Sequence, residues 1–308
     1  MHSTSTLRHL SSRINWRLST GPDSYRRLFR LLRSGLVCRE YLGRKRAAHE
    51  LRDLPGIVIP ERQGFAVVPQ RDFPEIPEIP EIIRLSHEKF SGSLDSISRQ
   101  RGDRPYATIA LPREFADLSS PFMQLALNRK LTTAISRYLG AVPVLKKIEF
   151  WIAPPNSVSG GIPYGSQRYH CDDGDIRQVK LFVNLTDVTE ANGPLVMLSA
   201  EESQRIRRKL RYRYHQMLPD AVIHGHIDEQ DAVAFTGPRG TAVLADTSRC
   251  FHYGARVRKN AETRFTLFYH FIVPGAFKLA LDHRSETAFS HLNSPELSPL
   301  QRMVLGAS

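Results

Sequence analysis

From Val142 onward the chain is written in short apolar runs of strand length. The runs fall at 147–153, 178–187, 194–198, 232–235, 241–245 and 264–273, and Gly160-Gly161, Gly193-Pro194, Gly237-Pro238 and Gly240 punctuate the gaps. Helical periodicity lies mainly before them, at 25–36, 81–99 and 121–139, with one stretch at 201–218 among them. Strands gathered after helices predict a mainly β fold, a sandwich or barrel with helices packed outside, and argue against alternating βαβ units. With 308 residues, 41% apolar and 24% charged, the chain can bury a large core. No internal repeat of 20–50 residues is visible. The longest apolar candidate for a membrane span, 265–281, is broken by His270, Pro274 and Lys278, so no transmembrane helix is expected.

The formal charge of +12 is concentrated at one end. Residues 1–55 hold twelve Lys/Arg against four Asp/Glu, which leaves the body only mildly basic. We therefore divide the chain into a basic helical N-terminal segment, 1–55, and a domain, 56–308, whose β core spans about 142–275. In the segment, Tyr25, Leu28, Phe29, Leu32 and Leu36 follow one helical face, while Arg26, Arg27, Arg30 and Arg33 fall mostly off it. Three roles are open: a helix docked by its apolar face with a solvated arginine face, a surface for anionic lipid or substrate, or a transit peptide, since residues 1–22 are Ser/Arg-rich and acid-free. The body has no nucleic-acid motif, so no nucleic-acid partner is expected. Cys38, Cys171 and Cys250 are too scattered for a disulfide framework, which suits a reducing, cytoplasmic setting, with peripheral membrane contact through residues 1–55 as the added option. Residues 56–69 read as a strand pair. Proline at every third position in 74–81 reads as a polyproline II spacer.

The stretch Ser166-Gln167-Arg168-Tyr169-His170-Cys171-Asp172-Asp173-Gly174-Asp175 carries the chemical signal. On a strand His170 and Asp172 point to the same side, so one imidazole and one carboxylate can share a metal ion. His252, after the strand-like run 241–245, is the candidate third ligand. Two histidines and a carboxylate leave three positions open and suit non-haem Fe(II). Arg264, twelve residues later, can bind a carboxylate bidentately and keeps its charge at any working pH. Asp173 would face the other side, Asp175 lies beyond Gly174, and Cys171 points away from the ligands. His224-Gly225-His226 has no carboxylate partner in a fitting position. His270 shares the parity of Arg264. Along 178–187, Val179, Leu181, Val183 and Leu185 form an apolar face for the outer helices. Lys180, Phe182, Asn184 and Thr186 form a mixed face fit for a wet pocket, which makes Phe182 and Asn184 candidates for touching cofactor or substrate.

Taken in order, His170, Asp172, the Asn192-Gly193-Pro194 turn, His252 and Arg264 resemble the Fe(II)/2-oxoglutarate oxygenases, and 180–195 resembles the phytanoyl-CoA dioxygenase-like branch. The resemblance covers about 55–275. It departs where Leu198-Ser199-Ala200 replaces the Gly-Ser-His of that branch. It implies a double-stranded β-helix (jelly roll, cupin-like) with outer helices. It implies Fe(II) on His170, Asp172 and His252, and 2-oxoglutarate as co-substrate with its far carboxylate on Arg264. It implies a dioxygenase that hydroxylates a small-molecule or lipid-linked substrate, an anionic one included, with release of succinate and CO2; the retained Asp172 argues against halogenation. The rival expectation is a jelly roll without turnover that uses the basic segment to meet a membrane or an acidic partner.

Overall fold

The strand-length runs pair antiparallel throughout, in a computed structural model that describes residues 15–68, 76–158, 161–214, 216–281 and 289–307. The larger sheet is ordered β1 (Phe65–Val68), β7 (Ala242–Ala245), β4 (Val179–Asn184), β9 (Arg264–Ile272), β3 (Val144–Ala153), β2 (Ala107–Ala110). The smaller is ordered β6 (Val233–Phe235), β5 (Leu195–Met197), β8 (His252–Tyr253). A bridge between His170 and His252 extends its β8 edge. In chain order the path runs β3 in the large sheet, His170 in the small, β4 large, β5 and β6 small, β7 large, β8 small, β9 large. That winding is a double-stranded β-helix, with helices outside, as the strand pattern and the resemblance both predict.

Alternation along the strands separates two cores. Leu181, Val183, Leu244, Phe265, Leu267, Tyr269 and Phe150 face the helices. Phe182, Val243 and Phe268 face the small sheet, where they meet Leu195 and Met197. The parity expected for β4 therefore holds.

Several boundaries differ from the sequence expectations. The helix expected over 121–139 is two, α5 (Pro121–Leu127) and α6 (Arg129–Leu139), because the Asn128 side chain accepts from Lys130 N and Leu131 N and restarts the helix. The helix expected over 81–99 is likewise two, α3 (Glu78–Phe90) and α4 (Leu94–Arg99). Of the proline-rich run, Pro74 and Glu75 lie outside the described residues. Pro77 caps α3 and Pro80 sits in its first turn, where a missing N–H costs no hydrogen bond, so the run is a helix start and not a spacer. Residues 57–59 form no strand, and β1 pairs with β7 instead.

The N-terminal helix α1 (Asp23–Leu36) docks by its arginine face, against the first of the three roles left open, in which the arginines are solvated; Phe29 of the apolar set goes in with them, stacked 5.4 Å on Phe277. Arg30 Nε lies 2.9 Å from Asp175 Oδ1, and Arg30 Nη2 donates to Pro274 O at 3.1 Å. Arg26 donates to Asp175 O at 2.6 Å and stacks 3.4 Å over the Tyr214 ring. Arg33 donates to Gly275 O, Ala276 O and Leu279 O. A loop of outward carbonyls needs donors, and the guanidinium fork supplies several in one plane. Gly275 permits the approach: its φ is +85°, and a Cβ there would lie 2.8 Å from Arg30 Nη1. The next helix, α2 (Cys38–Glu50), is anchored the same way, with Arg44 donating to Val142 O, Pro143 O, Met303 O and Ala307 O. Residues 1–14, which carry most of the transit-peptide expectation, lie outside the described residues.

Candidate metal centre

His170 and His252 are neighbours across the small sheet. Each backbone N–H donates to the other's carbonyl, at 3.1 and 3.0 Å, and the rings lie 4.2 Å apart. Asp172 follows on the His170 strand, its backbone N–H held by Thr247 O at 2.8 Å. His170 Nδ1 donates to Arg168 O at 2.9 Å and His252 Nδ1 to Cys250 O at 3.0 Å, because a carbonyl can only accept. Both Nε2 lone pairs are thereby left free and aimed at the carboxylate. His170 Nε2 is 3.9 Å from Asp172 Oδ1, and His252 Nε2 is 4.0 Å from Asp172 Oδ2. All three ligand atoms lie within 4.8 Å of one another, the one such group of three among the described residues. His224 and His226 join no such group among the described residues.

Electrostatics prepare the three as ligands. Burial pushes both imidazoles toward the neutral form, His252 down to about 3 with help from His170. For Asp172, burial opposes ionisation, but the Lys180 ammonium, by its charge and its hydrogen bond, holds the pKa well below the ordinary value. Ligands must be deprotonated to bind a metal, and here they already are. Gln178 adds a brace: its Nε2 donates to Asp172 Oδ2 at 3.0 Å and to Thr247 Oγ1 at 2.8 Å, while its Oε1 lies 2.8 Å from His270 Nε2. His270 thus reaches the site only through Gln178.

The triad opens into a cavity of about 180 Å³ between the sheets. Sites that engulf a drug-sized ligand hold ~300–1,000 Å³, so this one suits a small acid and one end of a substrate. Trp151, Phe182 and Leu195 give its apolar wall, and Tyr106, Ser166, Lys180, Arg264 and Thr266 its polar one. Arg264, Thr266 and Phe268 project from alternate positions of β9 beside Trp151 and Phe182 of the neighbouring strands. Arg264 Nη1 donates to Gly193 O at 2.9 Å, which ties it to the Asn192-Gly193-Pro194 turn. Gly193 is required there, since a Cβ would fall 2.4 Å from Arg256 N. Arg264 Nε and Thr266 Oγ1 are buried with no hydrogen-bond partner among the described residues. No carboxylate among them pairs with Arg264, and burial pulls its pKa down to about 10.

Of the residues singled out from sequence, the fold brings His170, Asp172, His252, Arg264 and Phe182 to one cavity. Asn184 is buried beside Thr266 in the ladder but does not line the cavity. Asp173 accepts from Lys278 Nζ and Asp175 is bound by α1, so both turn from the site. Cys171 is buried, its thiol pushed up to about 12 by burial. Sequence reasoning missed Gln178, Tyr106, Ser166, Trp151 and Thr266. The parity of β4 had placed Lys180 on the pocket face.

No protein-family model matches the chain, and no curated protein matches it in sequence. Its backbone is similar to several solved structures. One is EctD from S. alaskensis with bound Fe, at 18% identity over 69% of this chain and 73% of that one, TM-score 0.47. Another is EvdO2 from Micromonospora carbonacea var. aurantiaca, at 18% identity over 71% and 94%, TM-score 0.45. A third is the non-heme alpha ketoglutarate dependent epimerase SnoN from nogalamycin biosynthesis, at 16% identity over 75% and 84%, TM-score 0.43.

Proposed function

We propose that the chain is an Fe(II)- and 2-oxoglutarate-dependent dioxygenase that hydroxylates a small-molecule or lipid-like substrate, releasing succinate and CO2. The observation that carries the reading is one cavity holding both a two-histidine, one-carboxylate set and a buried guanidinium without an acidic partner among the described residues. The first asks for a metal with open positions, and the second for a small anion. The orphaned Arg264 Nε and Thr266 Oγ1 are donors that a terminal carboxylate would satisfy.

When bound, iron would supply the activation of O2, the oxidant, whose two oxygen atoms end in succinate and in the hydroxylated product as 2-oxoglutarate is oxidised with loss of CO2. The chain does the rest. His170, Asp172 and His252 would hold the metal. Arg264 and Thr266 orient the co-substrate by its far carboxylate. Trp151, Phe182 and Leu195 exclude water from the reacting end.

The reading is tested by 2-oxoglutarate turnover. Fe(II)-loaded protein should form succinate slowly without added substrate, and Asp172→Ala should form none. Succinate from both proteins at the same rate would refute it. One observation favours a second reading, a jelly roll without turnover: Lys180 Nζ already lies 2.6 Å from Asp172 Oδ2, where an ammonium can take the place of a metal charge. On that reading Fe(II) would not bind.

A further inference from the structure

Because α1 docks through arginine, its leucines face outward. Tyr25, Leu28, Leu31, Leu32 and Leu36 are all exposed, Leu28 at 59%, Leu32 at 61% and Leu36 at 71%. Single exposed leucines are ordinary, but five large apolar side chains on about three turns of one helix form a continuous stripe. Arg17 and Arg27 on this segment, and Arg39, Lys45 and Arg46 on α1's successor α2, are exposed as well. The stripe is not a side effect of loose docking. Arg26 and Arg30 are buried, and the missing side chain of Gly275 lets Arg30 approach. Turning the helix over would strand the Asp175 carboxylate and the carbonyls of 274–279.

We propose that this face of α1 docks the protein on an anionic lipid surface, with the leucines in the headgroup–acyl boundary and the flanking cations on lipid phosphates and carboxylates. An apolar helix face with exposed Arg27 next to it, in a segment that holds further exposed Arg and Lys, is the pattern of a helix lying in the membrane interface. Charge selects this occupant over a second copy of the chain, because two copies meeting face to face would bring both sets of cations together. The helix lies on the bilayer and does not cross it: no helix among the described residues is long and apolar enough to span. The inference stands on α1 alone and does not depend on the reading of the metal centre.

The test is flotation of the 308-residue chain with vesicles of phosphatidylcholine alone and of phosphatidylcholine with about one third phosphatidylserine, which gives the surface a negative potential. Binding to the anionic vesicles should weaken as salt rises. The triple variant Leu28→Ser/Leu32→Ser/Leu36→Ser should bind at least ~30-fold more weakly, given the apolar area withdrawn. Its melting temperature should be unchanged, since these side chains are exposed. Arg27→Gln/Arg39→Gln/Arg46→Gln should lose the preference for anionic lipid. The proposal is overturned if the intact chain ignores anionic vesicles, or if binding emerges only after residues 2–14 are removed. It is also overturned if the triple serine variant abolishes a concentration-dependent dimer while vesicle binding persists.

Discussion

The Lys180 ammonium lies 2.6 Å from Asp172 Oδ2, on the carboxylate that faces both His170 and His252. A cation therefore stands beside the candidate metal position before any metal arrives. It helps keep Asp172 ionised, and it repels a divalent ion. On balance the repulsion dominates, because Gln178 also holds the carboxylate. Lys180→Met is expected to raise Mn(II) or anaerobic Fe(II) affinity about tenfold, read by calorimetry, a change worth roughly 1.4 kcal/mol. Weaker binding in Lys180→Met would mean that Lys180 chiefly orients Asp172.

Arg264 is a test of division of labour. It is remote from the three metal-ligand atoms in role but shares their cavity. Arg264→Ala should weaken 2-oxoglutarate binding by about 100-fold, the scale of one bidentate charge-assisted pair, and change metal affinity less than about threefold. Lys should recover only part, lacking the planar fork. Equal losses of metal and co-substrate would contradict the assignment.

The pair Arg30–Asp175 tests whether the N-terminal helix belongs to the folding unit. Burial raises the Asp175 pKa even with Arg30 at 2.9 Å, so the pair is costly to bury and costlier to break. Arg30→Met should cost about 3–5 kcal/mol in urea unfolding by leaving a buried carboxylate unpaired. Adding Asp175→Asn should recover most of it. No loss in Arg30→Met would mean that α1 is undocked in solution.

Asp246 sets a pH dependence of stability. It accepts from Tyr138 Oη at 2.8 Å, Ser248 N at 3.1 Å and Arg249 N at 3.2 Å, yet burial raises its pKa to about 6. The folded chain thus binds this proton more tightly than the unfolded chain does. Its contribution is full below about pH 4 and is lost as pH rises through about 6, on the order of 3 kcal/mol. Asp246→Asn keeps the acceptor for the backbone donors and should remove that part of the pH profile in thermal unfolding. An unchanged profile would place the titration elsewhere.

How much of this was legible depends on what kind of rule fixed each residue. The period of two in β4 fixed which face meets the helices, because a strand cannot put Leu181 and Phe182 on the same side. His170, Asp172, His252 and Arg264 were legible because their residue types and order carry the chemistry. Tyr106 and Trp151 were not, since they meet at the cavity through the pairing of strands distant in sequence, whereas Thr266 and Gln178 share the parity of Arg264 and Phe182 and were open to the same rule. The orientation of α1 was misread for a physical reason. Apolar periodicity usually marks the buried face, but here the receiving surface is a row of carbonyls and a carboxylate, so donors go in and leucines stay out. The break at Asn128 was readable, as an Asn that caps the following turn.

The most direct test of the central claim is an anaerobic titration of metal-free protein with Fe(II) and then 2-oxoglutarate, watched in the visible range for the weak charge-transfer band of the chelate. The account predicts a band in the wild-type chain and none in His170→Ala. A folded wild-type protein that gives no band, or a His170→Ala variant that gives the same one, would contradict it.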